Sequence, residues 1–197
     1  MRRGLELQPR AALNDVFGTR IAVPSFRSEC ATLVERSDIG CVLVTTAIDI
    51  DTGMAVKAGN GRLELPRRPG AVVQDGSRFA LWLSPRSWLI QCNFAEERDL
   101  VRDLNSGYPD KLLYAVSFTD ALCWLELSGS GALDLLLEGG FISLERAGLE
   151  IGHAKRTLIA QVSAIVMRQD ATTWLVAIER SRAEYFCEWL SAAANTL

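Results

Sequence analysis

Apolar and polar positions alternate in short blocks along most of the chain, and the blocks from residue 79 onward are the sharpest. Residues 79–83 (FALWL) and 88–92 (WLIQC) are two apolar runs on either side of Ser84-Pro85-Arg86-Ser87. Pro85 presets φ for a turn and Ser84 can bond the backbone ahead of it, so the stretch predicts a hairpin with Trp82 and Trp88 packing beside it. Upstream, residues 41–48 (CVLVTTAI) are β-branched and apolar, which predicts a strand. Residues 112–119 alternate and 123–127 (CWLEL) are largely apolar, predicting two more. Residues 157–168 (TLIAQVSAIVMR) form one long β-like run, turned by 169–172 and paired back by 173–178.

Three segments carry helical signals. Residues 95–104 have acids in the first turn and Gly107 beyond the end. Residues 132–138 follow Ser128-Gly129-Ser130-Gly131, with a serine available as N-cap, and are closed by Gly139-Gly140. Residues 183–194 place Tyr185, Phe186, Trp189 and Leu190 on one face, behind a Ser181…Glu184 capping box. The order from 79 is therefore β-β-α-β-β-α-β-β-α. Hairpins interleave with helices without regular βαβ crossovers, so the predicted class is α+β: a mostly antiparallel sheet with helices packed on one face. Residues 20–26 read as extended ahead of and after Pro24, residues 49–61 as a loop, and residues 65–70 (LPRRPG) as a rigid connector. The organisation expected is an N-terminal arm over 1–38, available to a partner, and one α+β domain over 39–197.

Composition changes this picture only in what it removes. Nearly half of the 197 residues are apolar, enough for a substantial core. Formal net charge is -3 and the charges are mixed, with no basic stripe, so nucleic acid is not an expected partner. Eighteen of the 21 basic residues are arginine, which suits bidentate pairs at polar protein interfaces or simply reflects genomic base composition. The start has positive charge without an apolar core of a secretory signal, and no apolar run reaches 18 residues, so neither export nor membrane insertion is expected. Five cysteines at 30, 41, 92, 123 and 187 form no CxxC, which fits free thiols in a reducing cytoplasm.

No complete catalytic signature stands out. Residues 49–61 superficially resemble a calcium loop but lack its order of acids and the terminal glutamate. Ser128-Gly129-Ser130-Gly131 is the nearest approach to a phosphate loop; it lacks the Gly-Lys-Ser/Thr end and the GxGxxG spacing, leaving a helix-opening turn as the simpler reading. The single histidine, His153, lies in a polar connector with no GxSxG elbow elsewhere and no cysteine nearby in sequence, so nothing supports a serine hydrolase triad or a clustered His/Cys zinc site. Asp110, Asp120 and Asp134 read as turn or surface acids, and Cys92, Cys123 and Cys187 as small core residues. The expectation is no catalytic, cofactor-binding or metal-binding residue in this chain. Arg86, at the tip of the first hairpin, reads by default as a solvated tip and is the candidate for a partner contact.

The order of motifs nevertheless resembles a known family. Leu81-Trp82-Leu83 followed by Ser84-Pro85-Arg86-Ser87-Trp88-Leu89, then Leu127-Ser128-Gly129 with Ala132 and Leu133, Gly139, Arg156-Thr157-Leu158-Ile159-Ala160, Arg180-Ser181 and finally Trp189-Leu190 looks like the gamma subunit of heterotetrameric sarcosine oxidase. The likeness covers about the last 120 residues closely. It implies the fold of the N-terminal domain of the glycine-cleavage T-protein. It also implies a small, non-catalytic assembly subunit in a cytoplasmic complex that demethylates sarcosine to glycine. FAD, FMN, NAD, tetrahydrofolate and zinc would then sit in the larger flavin-containing and folate-domain subunits, which are the implied partners. An equivalent subunit of a related secondary-amine or N-methylglutamate dehydrogenase is an open alternative, as is a free-standing folate-binding one-carbon protein.

Overall fold

A computed structural model describes residues 12–13, 30–47, 55–58, 61–108, 112–141 and 149–196. Among these residues the chain forms twelve strands and three α-helices. The strands are β1 (Thr32–Glu35), β2 (Ile39–Thr46), β3 (Ala55–Ala58), β4 (Gly61–Glu64), β5 (Val72–Asp75), β6 (Arg78–Ser84), β7 (Ser87–Asn93), β8 (Leu113–Ser117), β9 (Leu122–Ser128), β10 (Ala154–Ile159), β11 (Val162–Arg168) and β12 (Thr173–Glu179). The helices are α1 (Glu97–Gly107), α2 (Ala132–Glu138) and α3 (Ala183–Ala194).

The α+β class and the antiparallel pairing are as expected, but the strands divide between two five-stranded sheets. Sheet A has the order β1-β9-β12-β11-β10, and sheet B the order β5-β6-β7-β2-β8. β3 and β4 form a separate hairpin. Alternation along each strand explains the layering. In β12, Trp174, Val176 and Ile178 pack with α2 and α3, whereas Leu175 and Ala177 turn to the opposite face and meet Ile39, Cys41, Leu81 and Leu89 of sheet B. In β2, Val42 and Val44 pack towards Leu100 and Leu104 of α1. The order of layers is therefore α1, sheet B, sheet A, then α2 with α3, with an apolar seam between each pair of layers. Each fully buried leucine or valine in these seams contributes about 1.5–3 kcal/mol over an exposed one.

Several local expectations need correction. The run 157–168 is not one strand. Ala160 (φ 50°) and Gln161 (φ 64°) form a two-residue turn between β10 and β11, both in the left-handed region that a type I′ hairpin requires. Neither is glycine or asparagine, so the break carries no local signal. It is held from outside: Ala160 N–H donates to the Gly139 carbonyl at 2.7 Å, and Tyr185 Oη donates to the Ala160 carbonyl at 3.4 Å. The Ser181…Glu184 capping box does not form. A 3-10 turn over Arg180–Arg182 precedes α3, which moves the cap to Arg182, and no side-chain cap bond is made. The serine N-cap of α2 is likewise replaced by Gly131. The loop read over 49–61 contains strand β3 at its end, while 48–54 and 59–60 lie outside the described residues, as do 20–26 and Asp110. The arm read over 1–38 includes β1, an edge strand of sheet A paired Leu33 to Leu127, and Arg36, whose guanidinium bonds Asp38 at 2.7 Å and Glu126 at 2.5 Å.

The 84–87 turn joins β6 to β7 as expected, with Trp82 directly opposite Trp88. Trp88 is buried and its indole N–H donates to the carbonyl of buried Pro66 at 2.7 Å. The rigid 65–70 connector is thereby pinned across the sheet. Further on, an isolated bridge between Ala71 and His153 and the Ala154 N–H bond to the Gly70 carbonyl join sheet B to sheet A at one corner.

Candidate functional site

Each candidate chemistry can be placed on this frame. His153 sits at the corner between the sheets, half exposed, with Nδ1 3.6 Å from Glu150 and 3.4 Å from the Ile151 carbonyl. Among the described residues its partners are a carboxylate and a carbonyl on its own loop, and none is the serine that a nucleophilic pair would need. Among the described residues no group of three or more His, Cys, Asp and Glu is placed to hold a metal ion.

The Ser128-Gly129-Ser130-Gly131 turn is filled by the chain itself. Gly129 has φ +124°, and a Cβ there would lie 2.3 Å from the Cys30 carbonyl oxygen; one on Gly131 would lie 2.9 Å from Cys30 Sγ. Gly131 N–H donates to the Cys30 carbonyl at 2.9 Å. The glycines let α2 start against the segment leading into β1, which is a packing demand and not a phosphate cradle.

The buried thiols are chemically quiet. Burial is the first cause in every case: it pushes Cys41, Cys92 and Cys187 up to about 12, and Cys123 up as well, against smaller opposing effects such as the Thr119 hydrogen bond at Cys41. A thiolate, the nucleophilic and metal-binding form, is absent from these four at neutral pH. Beside Cys41 and Cys92 lies a group that sequence reasoning missed. Glu97, read only as one of the acids in a first helical turn, is 8 % exposed, and its Oε1 has no hydrogen-bond partner. The Gln91 Oε1 and Trp124 Nε1 atoms are buried and unpartnered in the same way. The only signal for Glu97 was its place immediately after an apolar strand, which aims the first turn of α1 back at the core.

Arginine ties loops to the frame. Arg78 bonds Glu96 at 2.8 Å, just before α1. Arg168 lies 5.1 Å from the centroid of the Trp174 ring and donates to the carbonyls of Leu149, Asp170 and Ala171. Asp170 accepts from the Thr172 and Thr173 N–H groups at 2.8 Å, which holds its carboxyl below the usual carboxylate range. Arg86 is exposed and reaches the Ala47 carbonyl at 3.4 Å.

An open groove of about 610 Å³ lies where the chain crosses from sheet B to sheet A. Phe118, Ala121 and Leu122 supply an apolar floor; Asp120, Glu179 and Arg180 supply the charged rim. Asp120 and Arg180 stand 3.8 Å apart. The groove has a charged rim and no buried nucleophile or base, so its chemistry suits binding.

Comparison with known proteins agrees with this frame. The structure of heterotetrameric sarcosine oxidase from Corynebacterium sp. U-96 in complex with pyrrole 2-carboxylate contains a chain that superposes with a TM-score of 0.70 at 19 % identity, covering 84 % of each chain. The glycine cleavage system aminomethyltransferase T from Bartonella henselae superposes with a TM-score of 0.57 at 16 % identity, covering 90 % of this chain and 50 % of that one. At these identities the two likenesses establish the shared fold. No curated protein matches the chain by sequence. The model of the family described as sarcosine oxidase, gamma subunit, matches residues 45–196, from the end of β2 through the end of α3, and the chain belongs to that family.

Proposed function

We propose that this chain is a small structural subunit of a multi-subunit, flavin-dependent sarcosine oxidase, contributing assembly and not catalysis. The observation that carries the reading is the family match across 45–196. The state of the side chains supports it: four thiols held protonated by burial, a glycine turn filled by Cys30, and a groove built for contact. The described residues do not fit zinc, because they bring no three ligands together. They do not fit the pyrophosphate of FAD or NAD at the glycine turn, because Cys30 occupies the space beside it. Those groups, with FMN and tetrahydrofolate, are assigned to the larger subunits. Among the described residues no helix is long and apolar enough to cross a membrane.

Co-expression with the large flavin subunits, followed by size exclusion and an assay of sarcosine oxidation, tests the reading. The chain is expected to elute with the complex. A chain that stays monomeric beside a fully active complex lacking it would sink the proposal. Turnover of the assembled complex across N-methyl amino acids separates sarcosine from N-methylglutamate and other secondary amines. Titration of the isolated chain with tetrahydrofolate, expected to release no binding heat, tests the folate-binding alternative.

A further inference from the structure

We infer that the uncovered lane along β8, on the sheet B face that looks towards sheet A, is the seat of a larger, non-identical chain of the oxidase. That chain would lay an apolar ridge ending in a lysine or arginine onto it. The inference rests on the assembly reading above.

The argument begins with the pattern of β8. Leu113 and Ala115 are buried against α1. Alternation sends Leu112, Tyr114 and Val116 to the other face, where they are 43 %, 49 % and 51 % exposed. A strand apolar on both faces is the pattern of a strand covered on both sides. Tyr114 and Val116 lie opposite Thr45 and Leu43 of β2, and Cys41, next along that face of β2, is buried in the seam between the sheets. Sheet A therefore covers this face over part of β2 and leaves it open at β8. The open lane runs on to Phe118, for roughly 20 Å at the usual strand rise, and enters the groove floored by Ala121 and Leu122.

The surroundings choose among occupants. Strand addition at the β8 edge, the simplest way for a second copy to dock, is obstructed. The Ala115 N–H donates to Asn105 Oδ1 at 3.0 Å and the Ala115 carbonyl accepts from Asn105 Nδ2 at 2.8 Å, so a side chain of α1 occupies the central edge position. Docking must then use the face, through side-chain packing. At its far end the lane meets Asp120, whose side chain is 96 % exposed and stands 3.8 Å from Arg180, and the exposed Glu179; two acids against one arginine leave the rim net negative, so a basic group on the partner complements it. A family of gamma subunits implies a different chain to fill the place.

The test compares three versions co-expressed with the large subunits: the unaltered chain, Tyr114→Glu with Val116→Glu, and Leu158→Glu. Leu158 is an apolar residue, 61 % exposed, on the edge strand β10, outside the lane. The double variant is expected to lower the amount recovered in the complex at least tenfold, and Leu158→Glu to stay within twofold of the unaltered chain. If the unaltered chain itself does not co-purify, the assembly reading fails. If it does and the double variant co-purifies equally, the lane is not the seat. Hydroxyl-radical labelling of the unaltered chain needs no substitution. Tyr114 is expected to lose at least two thirds of its labelling on assembly, and unchanged labelling overturns the inference. Protection of Tyr114 in the isolated chain as its concentration rises would make a second copy the occupant and overturn it too.

Discussion

Trp88→Phe should cost this fold far more than Trp82→Phe, although the two tryptophans face each other across one hairpin. The Trp88 indole is 3 % exposed, and its N–H donates to the Pro66 carbonyl at 2.7 Å. Phenylalanine leaves that carbonyl unpaired, in a segment where Pro66 is itself buried and water has little access. An orphaned buried acceptor costs about 1–3 kcal/mol. The apolar area lost with the second ring adds about 1 kcal/mol. A total near 3 kcal/mol lowers Tm by about 6–12 °C in a chain of this size, and lowers the urea midpoint by about 1 M at a typical slope. Trp82 is partly exposed, so Trp82→Phe should stay within about 1 kcal/mol. Paired urea titrations followed by far-ultraviolet circular dichroism read both. Equal midpoints for the two variants would refute the reasoning, because the indole bond to the 65–70 connector would then carry no weight.

Other outcomes follow from the same frame. Gly129→Ala combines a left-handed φ with a 2.3 Å approach to the Cys30 carbonyl, and should lose about 3 kcal/mol or more, or accumulate as insoluble chain. Thermal melts compared with Ser130→Ala as a control check it. The buried thiols set an alkaline limit. Their native values near 12 lie above the ordinary 9, so their stabilisation is complete below pH 9 and is lost as pH rises from 9 towards 12. Each thiol then steepens the loss by about 1.4 kcal/mol per pH unit. Chemical denaturation between pH 8 and 11 measures this, and flat stability would contradict it. Replacing Ala160-Gln161 with Asn-Gly should raise stability by about 0.5–1 kcal/mol, because both positions need φ above zero; a lower Tm would show that the outside contacts, not the turn, set the conformation.

How much was legible follows from the range of each interaction. The 84–87 hairpin, α1 and the β11–β12 pair are local, and their apolar periods and turn residues announce them. The division into two sheets is not local. β2 and β9 have similar apolar composition, yet β2 pairs with β7 and β8 while β9 pairs with β1 and β12, and only the assembled seams decide that. The Ala160-Gln161 break was hidden because Gly139 and Tyr185 hold it from outside. At the candidate site the family resemblance was readable from spaced motifs. Burial of Glu97 was not, since it depends on where α1 lands on sheet B. The lane on β8 stands between these cases: alternation over 112–119 marked the strand, but only the position of sheet A shows that one apolar face is left open.

The edge strand β1 has a consequence for the order of events during synthesis. Leu33, fully buried in the finished fold, finds its cross-strand partner Leu127 about 90 residues later. At ordinary translation speeds of about 5–20 residues per second, that is an interval of roughly 5–20 s. Sheet B can close within it, since all five of its strands lie before β9, from β2 to β8. Sheet A cannot, because it waits for β9 to bring a neighbour to β1. The nascent chain therefore carries a half-built sandwich with one orphan strand at its front, and this is the stage at which a ribosome-bound chaperone would find the most to hold.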